Sequence, residues 1–155
     1  MTPEELRVCY EGRLYPRIYP VHAAIDALKE SQGAIVMITT DAARFPTPGE
    51  GVIGAVGASI VLLTKTLAKE LSRSKVRVNA VAMTLTSDTP AWDRIFAEEN
   101  FQNRLFSKAL EKFPFGRAPN AEEVARLAVF LASADAGQVT GQTVSINGGL
   151  SFGGW

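Results

Sequence analysis

The sequence predicts an α/β fold built on a three-stranded parallel sheet flanked by helices. Three observations carry this. Three short runs, Ala34–Thr39, Val76–Ala82 and Gln142–Asn147, have the length of strands rather than helices. Stretches with helical spacing separate them and are too long for hairpins, so the strands run parallel through crossovers. The first run is also apolar on both faces, as strands of a parallel sheet are.

Thr2-Pro3-Glu4-Glu5 reads as a helix entry, with Thr as N-cap, Pro at the first position and acids in the first turn. Pro16 and Pro20 forbid a straight uninterrupted helix through that stretch. A separate helix is expected from about Pro20 to Glu30, with Gly33 beyond its end and an apolar stripe of Val21, Ala24, Ile25 and Leu28. Thr40 to Gly51 contains Pro46, Pro48 and Gly49 and reads as a loop. A long helix follows from about Ile53 to Ser72, apolar on nearly every side in its first half. One face (Ile60, Thr64, Leu67, Leu71) can lie on the sheet; the other (Ser59, Leu62, Leu63, Thr66) then needs a second partner. Ala91 to Phe113 reads as a helical excursion carrying Trp92, Phe96, Phe101 and Phe106. Asn120-Ala121-Glu122-Glu123 opens a further helix, and Gly148-Gly149 closes the last strand. The whole of 1–155 reads as a single domain, with its first strand at a sheet edge.

A chain of 155 residues can bury roughly 70% of its unfolded surface. With 46% hydrophobic and 21% charged residues it reads as globular rather than disordered. Sixteen Lys+Arg balance 16 Asp+Glu, which removes the simplest case for nucleic-acid or membrane-surface binding. One Cys, Cys9, and one His, His22, exclude a disulfide framework and a Cys/His zinc site within the chain. The acidic start is unlike a secretory leader. The most apolar stretch, Val52 to Leu63, is shorter than the ~18 residues of a membrane span. A cytoplasmic location is expected.

Several stretches together resemble the second half of a short-chain dehydrogenase/reductase. Thr64-Lys65-Thr66-Leu67-Ala68-Lys69-Glu70-Leu71 and Val76-Arg77-Val78-Asn79-Ala80-Val81-Ala82 are similar to the family's long central helix and the strand after it. Gly116-Arg117-Ala118-Pro119, Glu122-Glu123-Val124-Ala125 and Val139-Thr140-Gly141-Gln142 through Gly148-Gly149 are similar to its C-terminal signature. The resemblance implies a truncated Rossmann-like domain. The family's nucleotide-binding half, with its Gly-rich phosphate turn, is absent from these residues. Gly49, Gly51, Gly54 and Gly57 lie in a loop and a helix and are not that turn.

Counting back from Thr64, the resemblance places Ile53 at the family's catalytic Tyr, Gly57 at its Lys, Thr40 at its Ser and Gly12 at its helix Asn. Only Thr40 keeps a hydroxyl. In hydride transfer from an alcohol, the phenol takes the hydroxyl proton, the Lys lowers the phenol's pKa and holds the ribose, and the Ser positions the substrate oxygen. Ile53 cannot exchange a proton and Gly57 cannot carry a charge. After the second strand, Met83-Thr84 stand where the family has Pro-Gly, and Thr89-Pro90 arrive about one residue late for its Thr near the nicotinamide. Asn147 stands where it often has Asp.

Thr40, Asp41 and Arg44 read as a surface loop with an Asx-type turn rather than a polar site. His22 and Cys9 read as ordinary surface or packing residues. No catalytic, cofactor-binding or metal residue is expected in this chain. The resemblance implies association surfaces instead: Ser59, Leu62, Leu63 and Thr66 on the long helix, and Phe152 and Trp155 at the end. The functional expectation is a non-catalytic subunit, either in a hetero-oligomer with a full-length dehydrogenase that binds NAD or NADP, or in a homo-oligomer. A few dehydrogenases of this family pair a competent subunit with a degenerate one, the hydroxybenzylsuccinyl-CoA dehydrogenase of anaerobic toluene degradation among them. That pairing makes a hydroxyacyl-CoA-type substrate the first candidate for the partner. The alternatives are one half of an NAD(P)-dependent oxidoreductase whose other half lies elsewhere, and a free-standing ligand-binding module.

Overall fold

The computed structural model describes residues 1–152. Three parallel strands, β1 (Ala34–Thr40), β2 (Arg77–Met83) and β3 (Thr143–Ile146), form one sheet in the order β1-β2-β3. Ile35 pairs with Val78 and Val81 with Val144, so β2 is central and β1 stands at an edge of this sheet. Helices α1 (Pro3–Ser31) and α2 (Gly51–Leu71) cover one face. Helix α5 (Ala121–Ala132) covers the other, while α3 (Pro90–Phe96) and α4 (Phe101–Leu110) lie beyond β2 in the second crossover.

Each face has its own core. Ile35, Met37, Val78 and Ala80 pack under Ile60, Ala68 and Leu71 of α2. Val81 packs with Val124 and Leu131 of α5, with Val36 and Ile38 partly buried beside them. β1 is therefore buried on its α2 face and half-buried on the other, rather than equally on both as its composition suggests. Asn79, fully buried in β2, donates from Nδ2 to the Val139 carbonyl (2.7 Å) and accepts from the Gln142 amide (3.1 Å), so its burial is compensated. The aromatics Trp92, Phe96 and Phe106 pack around Leu85, Phe113 and Ala118 in a third cluster, and Phe101 stays exposed.

The expected break in the first helix does not occur. α1 runs through both Pro16 and Pro20. The two prolines are four residues apart and exposed, so they share the outer face, where carbonyls freed by a missing N–H can turn to water. The inner face carries Leu14, Val21, Ile25 and Leu28 onto the core. Arg17 reinforces the proline stretch, its guanidinium donating to the Arg13 carbonyl and, from Nε, to Ile38 O of β1 (2.9 Å). Thr2 and Glu5 close a reciprocal capping box at the start of α1, and Asn120 and Glu123 do the same for α5.

Helix α2 with the turn after it, Gly51–Ser74, is long and apolar enough to cross a membrane, which the shorter Val52–Leu63 stretch is not expected to be. In this fold its apolar side chains are used otherwise: Ile60, Ala68 and Leu71 are buried in the first core with residues of β1 and β2, and Val56 and Val61 are buried as well. Leu63 is a second correction. It is half-buried and packs against the first core, while Ser59, Leu62 and Thr66 remain exposed. Of the two terminal residues expected at an interface, Phe152 is exposed and Trp155 lies outside the described residues.

Candidate functional site

The carboxyl ends of the strands gather the polar groups. β1 ends at Thr40, whose Oγ1 accepts from the Ala42 amide (3.2 Å) and caps the short turn Asp41–Ala43. The chain then passes Pro46, Pro48 and Gly49 (φ +84°) and enters α2 at Gly51. Between this loop and the first turns of α2 lies a shallow cleft of about 530 Å³, lined by Ala42, Ala43, Pro46, Glu50 and Gly54 among others. Glu50 is the ionisable group of that lining. Burial holds the Glu50 carboxyl above its ordinary range, and the positive charge of Arg13 partly opposes this.

The structure brings two of the four candidate catalytic positions together. A Cβ on Gly57 would lie 2.7 Å from Thr40 Cγ2, 2.9 Å from Ala43 Cβ and 3.1 Å from Thr39 Oγ1. A Cβ on Gly54, one turn earlier, would lie 2.6 Å from the Ala42 carbonyl oxygen. The turn after β1 thus rests directly on a strip of α2 that only glycine can form. Ile53 is half-buried in the first turn of α2. Gly12 lies on an exposed part of α1, with nothing within 4 Å of where its Cβ would be. Thr89 Oγ1 accepts from the Trp92 amide and donates to Thr86 O, so it serves as the N-cap of α3. His22 is exposed, and Cys9 is half-buried beside Arg13 Nε (3.3 Å). Among the described residues no cluster of His, Cys, Asp or Glu could hold a metal ion.

The larger correction concerns Asp41 and Arg44, expected on a solvated loop. Both side chains are more than nine-tenths buried. Asp41 crosses the end of the sheet to β3 and the segment after it. Its Oδ1 accepts from Ser145 Oγ (2.6 Å) and Arg44 (3.4 Å); its Oδ2 accepts from Ser151 Oγ (2.8 Å) and Asn147 Nδ2. Arg44 also donates to Ser145 Oγ and to Thr143 O (3.1 Å). Arg44 Nε and Thr143 Oγ1 are left buried without a partner. The charges compensate one another inside the protein, the condition for burying them at all. One signal in the sequence points here: Ser145 and Asn147, two apart, alternate with the apolar Val144 and Ile146 and so fall on one face of an extended chain. At the start of α5, Glu123 is held down to about 2, first by the Arg117 hydrogen bond (2.7 Å) and then by the Asn120 amide.

A parallel sheet with helices on both faces and its polar groups at the carboxyl ends of the strands defines a Rossmann-like α/β protein. A family model described as enoyl-(acyl carrier protein) reductase matches residues 1–151. A 3-oxoacyl-[acyl-carrier-protein] reductase of Thermotoga maritima is 36% identical over 123 residues, covering 79% of this chain and 47% of that protein. The 2,3-dihydroxy-2,3-dihydro-p-cumate dehydrogenase of Pseudomonas putida is 34% identical over 152 residues, covering 97% and 57%. An NADPH-bound short-chain oxidoreductase of Pseudomonas aeruginosa, described as containing an atypical catalytic center, superposes with a TM-score of 0.86 at 28% identity over 97% of this chain and 59% of that one. The chain belongs to the short-chain dehydrogenase/reductase family. It spans about half the length of the curated relatives it matches.

Proposed function

We propose that this chain is a non-catalytic, cytoplasmic subunit that associates with a catalytic short-chain dehydrogenase and supports it. NAD or NADP and the hydride chemistry belong to the partner, with a hydroxyacyl-CoA-type alcohol as the candidate substrate. The observation that carries this reading is the packing at Gly57. Where the family resemblance puts the lysine, a first side-chain carbon would already overlap Thr40 and Ala43. No room exists there for an aminoalkyl chain to reach a ribose or to lower a phenol's pKa. Ile53 offers no proton-transfer group, and loss of general acid–base help alone costs about 10²–10⁴-fold. The exposed Ser59, Leu62 and Thr66 face supplies a surface for association.

Native mass spectrometry of the protein isolated from its source tests the proposal. The expected mass combines this chain with a full-length dehydrogenase; the mass of this chain alone overturns it. Reintroducing the family residues gives a second check. Gly57→Lys is expected to lower stability by about 1–3 kcal/mol through overpacking. The Ile53→Tyr/Gly57→Lys pair is expected to show no turnover with NAD(P)H, and measurable turnover would refute the non-catalytic assignment.

A second reading is one half of an NAD(P)-dependent oxidoreductase whose nucleotide-binding residues lie elsewhere. The Pseudomonas aeruginosa oxidoreductase favours it, since it is NADPH-bound despite an atypical catalytic center. Enhancement of NADPH fluorescence by the assembled complex, abolished by removing this chain alone, would select that reading.

A further inference from the structure

We infer that Asp41 and Asn147 form a clasp that couples the wall of the cleft to the C-terminal segment, so that loosening either end loosens the other. This inference rests on the buried network alone and not on the proposed subunit role.

Asp41 belongs to the turn that caps β1 and rests on Gly54 and Gly57 of α2. Asn147 and Ser151 belong to the segment leaving β3, and more than a hundred residues separate the two ends. That segment is folded tightly on Asn147. The Gly149 amide donates to Asn147 Oδ1 (3.0 Å), and the Leu150 amide to Asn147 O (3.0 Å). Asn147 Nδ2 donates to Ser151 O (2.8 Å). Gly148 and Gly149, at φ +57° and +80°, supply the left-handed backbone that the reversal needs. The Asp41 carboxylate joins this folded segment to the β1 turn through Oδ2, which accepts from both Asn147 and Ser151.

The donor and acceptor pattern dictates which residue stands at each end. Oδ2 of Asp41 needs a donor, and Asn147 offers an amide NH2 while keeping its own oxygen for the Gly149 amide. A carboxylate at position 147 would face the Asp41 carboxylate in a buried site, with the single Arg44 guanidinium to offset two charges. The amide at position 147, which the sequence alone offers as a mild departure from the family's frequent Asp, is required by the acid at position 41. Exchange of the two residues restores the donor–acceptor pair between positions 41 and 147, but a carboxylate at 147 gives up the bond to Ser151 O. An amide at position 41 would keep an oxygen for Ser145 and Arg44 and present its NH2 to a carboxylate at position 147.

Hydrogen exchange on the 155-residue chain tests this, with the β2 amides Val78–Ala82 as the reference for global stability. Asn147→Asp is expected to speed exchange of the Gly149 and Leu150 amides at least tenfold. It should also speed exchange of the Arg44 amide, which donates to Asp41 O across the same turn. Ser151→Ala, which removes one donor without adding charge, should shift the Arg44 amide in the same direction by a smaller factor, because coupling is reciprocal. The Asp41→Asn/Asn147→Asp exchange is expected to bring the Arg44 amide back to within threefold of the original, and the Gly149 and Leu150 amides only part of the way, because the bond to Ser151 O stays lost. Unchanged exchange in Asn147→Asp, a change confined to one end, or no recovery of the Arg44 amide in the exchanged pair would each overturn the clasp. Should Asn147→Asp fail to fold, Ser151→Ala decides: faster exchange of the Arg44 amide supports the clasp, and unchanged exchange there refutes it.

Discussion

Helices α1 and α2 pack side by side on one face of the sheet, yet they are held in opposite ways. α2 places Ile60, Val61, Ala68 and Leu71 in the core and has no side-chain cap at its start. α1, at 29 residues, has no fully buried residue. It touches the core only through Leu14, Val21, Ile25 and Leu28. Its first ten residues are stabilised by local means: the Thr2–Glu5 box and the Arg7 pairs with Glu4 and Glu11. Helical signals in a sequence therefore report two different things. In α2 they report burial, and in the first ten residues of α1 they report only local capping and charge order, which by themselves leave a helix marginal in water.

This contrast makes graded predictions. Ile60→Ala should cost about 2–5 kcal/mol, because a fully buried side chain leaves a cavity between α2 and the sheet. Chemical denaturation would show it, and a loss below about 1 kcal/mol would mean that α2 is not the core helix. Thr2→Ala should cost about 1 kcal/mol at most. The loss should be confined to the amides of the first turns and leave the global midpoint nearly unchanged; a large global loss would make the overhanging end of α1 part of the cooperative unit. The smallest effect concerns the entry of α2. Burial raises the Glu50 pKa in the fold, so the carboxyl favours the folded state below its unfolded value near 4.5 and that contribution is lost as pH rises through the folded value. Glu50→Gln should therefore raise the melting temperature slightly at pH 7 and have no effect at about pH 3, where the carboxyl is protonated in both states. A decrease at pH 7 would mean that the charge at the helix entry outweighs its desolvation.

The parts legible in the sequence are those with local signals. The Asn120 box marks the start of α5, the Gly and Pro cluster marks the loop before α2, and the three short runs between the helical stretches are the three strands. The continuity of the first helix is not legible, because the cost of a proline is local whereas what keeps the helix running is tertiary: both prolines face outward while the inner face packs on the core and Arg17 reaches across to Ile38. Nor is the inward face of Leu63, because a helix apolar nearly all round does not reveal which neighbour lies where. The burial of Asp41 leaves no local trace, since its partners at Ser145 and Ser151 lie 104 and 110 positions away. An Asp three residues before an Arg, leading into a Pro-rich stretch, has the composition of an exposed turn.

The glycine strip on α2 also bears on what mutation can reach. At position 57 the first carbon of any side chain meets Thr40 and Ala43, and at position 54 it meets a backbone carbonyl. A long basic residue at 57 would have to wait until the turn above it had already shrunk or shifted, and that shift would disturb Asp41 at the other end of the same turn. Single changes at 57 therefore lead downhill in stability before any gain in chemistry could be selected. Such a site is held in its present form by the order in which substitutions would have to occur.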